Sequence, residues 1–422
     1  MLNKAGEAKE QTEVAEVKDR AQLDILDWQA DQLKDNNDAT LNDDIVKGIL
    51  DEKDYISGFN EEDLENIKVI TENGYEFPIS DLYDKEDKAG GDDAVPGEIV
   101  TGGNKDYTNN GTAKIPEGFA IVPGLDDVSK GLVISDVEND TGDVGNQFVW
   151  VPVNKSNLCV EGTDKIIAEI PNGTNYRGVL YDFGSGTPVK IDYSEDGNRE
   201  PDTVSDDSTA SYFTQINEIL GKNFPTDSFE EYLQDEYNAI INSIKINGGF
   251  YIGRYESSLS SSNDKTDGST GNIQSKRNIL PVDASKSGAN MWYGLYAKQK
   301  EFASTLEGTT VKSAMIYGSM YDAVMNWALN DENEKDKVTK PSTARGLKKP
   351  TGTEVETGKY DIIKNIYDLG NNMREWTAEA DYTSFRVSRG SYYNVTFYPS
   401  IRSYSYPNYT SSIYGSRLLL YL

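Results

Sequence analysis

Histidine is absent from this 422-residue chain, and cysteine occurs once, as Cys159. The first absence removes the commonest general base and the commonest transition-metal ligand together. The second excludes an internal disulfide framework and any thiolate cluster, which needs more ligands than one. Triad hydrolysis, zinc chemistry and haem binding are therefore disfavoured, and no cofactor is expected. A structural calcium held by Asp, Asn and backbone oxygens stays open, although no EF-hand spacing occurs. Basic residues are few: 41 Lys and Arg stand against 71 Asp and Glu, a formal net charge of -30. Nothing offers a basic stripe that could release phosphate counterions, so a nucleic-acid partner is not expected. The same charge opposes docking on anionic lipid. Long apolar runs are missing too: none approaches the roughly 18 residues of a membrane span, and no signal peptide is evident. Membrane contact is thus not expected of this chain. With only 36% hydrophobic residues, ordered and weakly ordered stretches should alternate.

What is present divides into three parts. Residues 2–34 read as one long helix, rich in Ala, Glu, Lys and Gln, with Val14, Val17, Ala21, Ile25, Trp28 and Gln32 recurring every three or four residues. Met1-Leu2-Asn3-Lys4 leads into it without a start signal, as a trimmed or processed form would. A short helix is expected at Leu41–Val46, where the aspartates favour the N-terminal end. Ile67–Ile70 and Tyr75–Phe77 flank Asn73-Gly74, a hairpin cue. Helix and small sheet make a first domain over 1–83. Residues 84–114, rich in Gly, Asp and Asn, read as a flexible acidic linker.

From Ile115 onward short apolar runs predict strands at Phe119–Val122, Leu132–Ile134, Phe148–Val153 and Gly248–Glu256. The interval 154–247 is polar and reads as an insertion, with a helix around Phe229–Ile244. Helices are predicted over Ala289–Leu306 and Lys312–Leu329; their Trp292, Leu295, Tyr296, Met320, Val324 and Trp327 have core spacing. The fold class expected for the whole is α+β.

The end of the chain is the most distinctive part. Tyr367-Asp368-Leu369-Gly370-Asn371-Asn372-Met373-Arg374-Glu375-Trp376 is followed by Phe385-Arg386-Val387-Ser388-Arg389-Gly390-Ser391, and the chain closes on Gly415-Ser416-Arg417-Leu418. This set resembles the formylglycine-generating-enzyme type of C-type lectin fold. The motifs of that family run Tyr-Asp-Met/Leu, Gly-Asn-Val-x-Glu-Trp, Arg-Val-x-Arg-Gly-Gly-Ser and Gly-Phe-Arg. The weaker strands and the helix near 313–329 extend the likeness over most of 115–422. Asn371, the single Gly before Ser391, and Ser416 depart from the family pattern. The resemblance implies structural roles for Glu375, Trp376, Arg389, Arg402 and Arg417: a core network, with the indole N–H satisfied and Arg402 bonded to backbone carbonyls or to the Glu375 carboxylate. The enzymatic branch of the family relies on paired cysteines and a related branch on histidines. With one Cys and no His, the fold is carried over and the chemistry is not.

Ser391–Tyr414 has a restricted alphabet. Its 24 residues include seven Tyr and six Ser, but no Lys, Glu, Gln, Met or Trp. Replacing only the adenines of an Asn codon leaves a pyrimidine in third place, and none of those five types has such a codon. This resembles the variable proteins of diversity-generating retroelements, which use a lectin-type fold. The resemblance implies a ligand-binding face made of Tyr393, Asn394, Thr396, Phe397, Tyr398, Ser400, Ile401, Ser403, Tyr404, Ser405, Tyr406, Asn408, Tyr409, Thr410, Ser411, Ser412, Ile413 and Tyr414, with Pro399, Arg402 and Pro407 as fixed points. Tyrosine offers a large amphipathic contact at little rotamer cost, and Ser and Asn add adaptable hydrogen bonds, as in antibody paratopes. Runs such as 403–409 alternate too loosely for a buried strand. Finally, Gly6–Ile25 resembles the part of a type IV pilin-like protein that follows its hydrophobic half-helix. Together these imply a non-enzymatic display protein on a bacterial cell surface or pilus, binding protein or glycan and contacting pilus subunits through its first helix. A phage tail receptor-binding protein of the same fold, and a formylglycine-generating oxidase, are the alternatives.

Overall fold

The computed structural model describes residues 13–28 in part, 43–60 except 52, 67–82 except 80 and 81, 93–153 except 143, two short pairs at 181–182 and 187–188, 210–260, 271–282, 291–340, 353–394 except 382–384, 399 and 401–422. The chain separates into two compact units, Met1–Asp92 and Asp93–Leu422.

In the first unit the described residues between 13 and 28 are helical. Val17, Ala21 and Ile25 form the buried stripe of that helix, at the four-residue spacing that keeps side chains on one face. They share a core with Val46 and Leu50 of α1 (Asp43–Leu50) and with Val69 and Phe77 of a three-stranded antiparallel sheet. Its strands are β1 (Ile56–Asn60), β2 (Lys68–Thr71) and β3 (Glu76–Pro78), and Asn73-Gly74 turns β2 into β3. Helix and sheet are also tied by polar contacts. Glu13 accepts from Thr71 Oγ1 at 2.9 Å and Asn73 Nδ2 at 2.8 Å, and Asp24 accepts from Lys53 at 2.7 Å. Residues 2–12 and 29–34 of the expected helix lie outside the described residues.

The second unit begins earlier than the linker reading placed it. Residues 93–114 are packed: β4 (Lys105–Thr108) and β5 (Thr112–Ile115) form a hairpin, and Ala94, Val100, Ala113 and Ile115 join the main core. The Asn109-Asn110-Gly111 cluster, read as linker, is the turn of that hairpin, with Asn110 at φ 55°. The core sheet has six strands in the order β10-β15-β9-β8-β7-β6, every pair antiparallel. They are β6 (Ala120–Ile121), β7 (Val133–Ser135), β8 (Gln147–Pro152), β9 (Gly249–Gly253), β10 (Lys312–Met315) and β15 (Leu418–Tyr421). Phe148–Val151 and Phe250–Ile252 are buried without alternation, because both sheet faces are covered. Gly249 is required where it stands: a Cβ there would lie 2.5 Å from both Trp150 Cζ2 and Val151 O.

A further expectation is corrected. Residues 312–315 form strand β10 and not the start of a helix; α5 begins only at Gly318 and runs to Leu329. Tertiary pairing with Leu418–Tyr421 overrides helix propensity there. The helix expected around 229–244 within the interval 154–247 is present. This helix, α3 (Phe229–Asn247), capped by Ser228 Oγ accepting from Glu231 N, sends Phe229, Leu233, Ile240 and Ile244 into the main core. Cys159 and most of 154–209 lie outside the described residues. Two shorter helices complete this side, α2 (Thr214–Leu220) and α4 (Trp292–Glu301).

A second sheet carries the distinctive C-terminal motifs, in the order β13-β12-β11-β14. These are β11 (Arg374–Asp381), β12 (Phe385–Arg389), β13 (Arg402–Ser405) and β14 (Tyr414–Ser416), with β11 and β14 parallel. The chain then enters β15, between β9 and β10 of the first sheet, so the tail is held at both ends.

Candidate ligand-binding face

The C-terminal sheet rests on a buried ionic framework. Arg417, fully buried, donates from Nε to both Glu375 oxygens at 2.9 and 3.1 Å, from Nη1 to Gly253 O at 2.9 Å and from Nη2 to Tyr367 O at 2.8 Å. One guanidinium thereby joins β9, β11 and the short hairpin formed by Ile362–Ile363 and Ile366–Tyr367. Burial pushes the Glu375 carboxyl up, and the Arg417 charge opposes that rise. Glu256 sits in the same interior and is pushed well up by burial and then by the Asp368 and Glu375 charges. It accepts from Met373 N at 2.8 Å and Asn372 Nδ2 at 2.5 Å. Asp368 is raised by burial against the pull of hydrogen bonds from Tyr360 and Gly358 N–H groups.

Arg402 departs from expectation. Its carboxylate partner is Glu379, bonded from Nε at 2.5 Å and more closely from Nη2, and not Glu375. Register alone does not account for this, since Arg402 lies opposite Arg389 and Arg389 opposite Glu375; the irregularity in β11 between Trp376 and Ala380 falls between Glu375 and Glu379. Arg389 pairs with Asp322 of α5, and its Nη1 stands 4.0 Å from Glu379. Burial pushes Asp322 up to about 6 despite that guanidinium. Trp376 is fully buried and stacks on Tyr414 with centroids 4.5 Å apart and planes at 20°. Its indole N–H has no hydrogen-bond partner among the described residues, contrary to the expected satisfied core network. The neighbouring indole, Trp292, does donate, to Thr377 O at 2.8 Å.

On this base the 391–414 stretch separates into an inner and an outer set. Gly390 opens it at φ 77°, where a Cβ would lie 2.6 Å from Leu369 O. Tyr393 and Tyr414, expected in the contact face, are buried at 5% exposure each, and Tyr393 shares a hydrogen bond with Ser412. The fixed points hold from within. Pro399 and Pro407 are buried, and their carbonyls accept from Tyr321 Oη at 3.1 Å and Trp292 N at 3.2 Å. Residues 402–405 pair in register with 386–389, and Ser403, Tyr404 and Ser405 of this strand are half-buried or exposed, as expected of a run that alternates too loosely for a buried strand. Arg402, Tyr404 and Tyr406 follow one face, which passes from interior to solvent.

The outer set is led by Tyr404, Tyr406 and Tyr409, exposed at 43%, 49% and 48%; no other aromatic among the described residues is as open. Phe385 of β12, missed from sequence, sits beneath Tyr404 and Tyr406 at 4.9 and 4.6 Å. Asn394 is exposed, and Ile401, Ser403, Ser405, Asn408, Thr410, Ser411, Ser412 and Ile413 are half-buried. Ser403 accepts from Arg374 Nη1 at 3.1 Å, and the Arg374 guanidinium lies 5.2 Å from the Tyr392 ring. Thr396, Phe397, Tyr398 and Ser400 lie outside the described residues. No group of three or more His, Cys, Asp or Glu is placed to hold a metal ion among the described residues, and no described helix is long and apolar enough to cross a membrane. Compared with protein-family models, curated proteins and solved structures, the chain matches none of them.

Proposed function

We propose that this chain is a non-enzymatic display protein that binds a protein or glycan ligand through the open tyrosines of its C-terminal stretch, on a lectin-like scaffold of the formylglycine-generating-enzyme type. One observation carries the reading. The exposed aromatics of the described chain, Tyr404, Tyr406 and Tyr409, gather within six residues of the stretch whose alphabet is restricted. Elsewhere among the described residues large rings are buried or half-buried, as the hydrophobic effect favours. An aromatic patch left in water is explained by a partner that covers it. The buried ion pairs of Arg402, Arg389 and Arg417 would let outer residues change while the backbone beneath them stays put. A few tyrosines would then act as hot spots. Display on a bacterial pilus or cell surface, through the first unit, belongs to the same proposal and rests on the pilin-like helix.

The test is selection. A library of the full chain randomised at Asn394, Tyr404, Tyr406 and Tyr409 is panned against a folded probe such as lysozyme. Binders that melt within a few degrees of the parent are expected. A library that yields no binders, or only variants that fail to fold, contradicts the proposal.

A further inference from the structure

The turn that carries two of the three open tyrosines is held by a residue from a distant part of the chain. Tyr406-Pro407-Asn408-Tyr409 closes with Tyr409 N donating to Tyr406 O at 2.9 Å. Its corner residues, Tyr406 and Tyr409, face solvent, while both central residues are fastened. The Pro407 carbonyl accepts from Trp292 N in the first turn of α4, where a helix leaves its N–H groups without an internal partner. Asn408 Nδ2 donates to the Tyr212 hydroxyl at 2.9 Å, across 196 residues of chain. Tyr212 is itself set in place. Its ring stacks on buried Tyr293 at 5.1 Å and 21°. The next residue, Phe213, is fully buried among Phe224, Phe229 and Tyr293.

Resting on the reading of the tail as a contact face, we propose that Tyr212 is a positioning residue of that face and that Asn408 is its receiver, not a ligand contact. Two attachments at the centre of the turn fix the directions in which Tyr406 and Tyr409 project. A platform ordered in advance loses less freedom on binding. It follows that a change at 408 alters specificity without touching the ligand: Ser or Ile there releases the turn and lets both tyrosines pivot. The polar interval before α3, which otherwise carries no role, thereby acquires one at its C-terminal end.

Amide hydrogen exchange resolved at Tyr409 tests this on the full chain, with no ligand present. Tyr212→Phe keeps the stack on Tyr293 and removes the hydroxyl. The Tyr409 amide should exchange about fivefold faster, the equilibrium equivalent of one neutral hydrogen bond, while the amides of β8 keep their wild-type rates. Asn408→Ala should produce the same acceleration, and the double variant no more than either single one. Asn408→Asp, whose carboxylate can accept from the Tyr212 hydroxyl, should stay slow, and only while Tyr212 is present. Wild-type exchange in Tyr212→Phe, or additive effects in the double variant, overturns the proposal. Because no ligand enters, that failure is distinct from failure of the contact-face reading, which the selection experiment decides.

Discussion

Replacing Arg417 by Met removes the cation at the centre of the C-terminal framework. The residue is fully buried and its guanidinium serves Glu375, Gly253 O and Tyr367 O at once. Methionine fills much of the volume, so the main loss is electrostatic. Glu375 is left ionised in the interior near Glu256 and Asp368, whose charges already disfavour one another. Breaking a buried pair from one side costs about 3–5 kcal/mol. The assay is urea unfolding followed by tryptophan fluorescence, which reports on the second unit because Trp150, Trp292, Trp327 and Trp376 all lie in its core. With a slope of about 3 kcal/mol/M, the midpoint should fall by about 1–2 M at pH 7.

The pH dependence has a definite sign. Glu375 has a folded value above its ordinary 4.5, so the native state holds more protons than the unfolded one between those two values, and stability falls as pH rises through that window. Without Arg417 the window extends upward. The cost of the substitution should therefore be smaller at pH 5 than at pH 7. Adding Glu375→Gln to Arg417→Met removes the stranded charge and should recover most of the loss. A cost under about 1 kcal/mol at pH 7, or an equal cost at both pH values, would refute the reasoning, since it would mean that water reaches the pair and screens it.

Trp376→Ala should cost about 3–5 kcal/mol, measured by the same unfolding, because the ring is fully buried against Tyr414; Trp376→Phe should lose far less, since it also deletes an indole N–H that has no partner among the described residues. Arg402→Lys should not substitute for arginine: an ammonium cannot reproduce the two-nitrogen contact with Glu379, and a loss of about 2 kcal/mol or more is expected in thermal unfolding. Burial pushes Asp140 up, but hydrogen bonds from Gln147, Val144 N, Ser135 and Gly145 N hold it below its ordinary 3.8. Its contribution is therefore present above about pH 4 and lost as pH falls through the lowered value, and the stability gap between wild type and Asp140→Asn should close below pH 4.

Much of the architecture was legible because apolar patterning reports burial directly. Phe148–Val153 and the 248–256 stretch announced central strands, Asn73-Gly74 announced a hairpin, and the stripe of Trp292, Leu295 and Tyr296 announced a core helix. The linker reading failed at 93–114 because Asn and Gly mark tight turns as readily as loose chain. There the turn chemistry of 109–111 served a hairpin whose alternate residues, Ala113 and Ile115, are core. Residues 312–315 looked helical because the pairing that makes them a strand comes from the last residues of the chain, and local propensity carries no trace of it.

Within the stretch of restricted alphabet, composition could not sort inner residues from outer ones. Tyr393 and Tyr414 are buried whereas Tyr404, Tyr406 and Tyr409 are open, and all five belong to one alphabet. Which tyrosine turns inward depends on Trp376, Ser412 and the register of β13, all of them tertiary facts. The partners of Arg402 and Asn408 were hidden for the same reason. Glu379 and Tyr212 stand in segments that no motif joins to the tail.

The most direct measurement is deep sequencing of the 3′ end of the gene in a population of cells, beside any near-copy downstream. Substitutions should concentrate at codons 394, 404, 406 and 409, fall at adenines of the copy, and spare Arg389, Arg402, Pro407 and Arg417. A uniform tail across the population, or changes scattered equally over the buried arginines and the open tyrosines, would contradict the account.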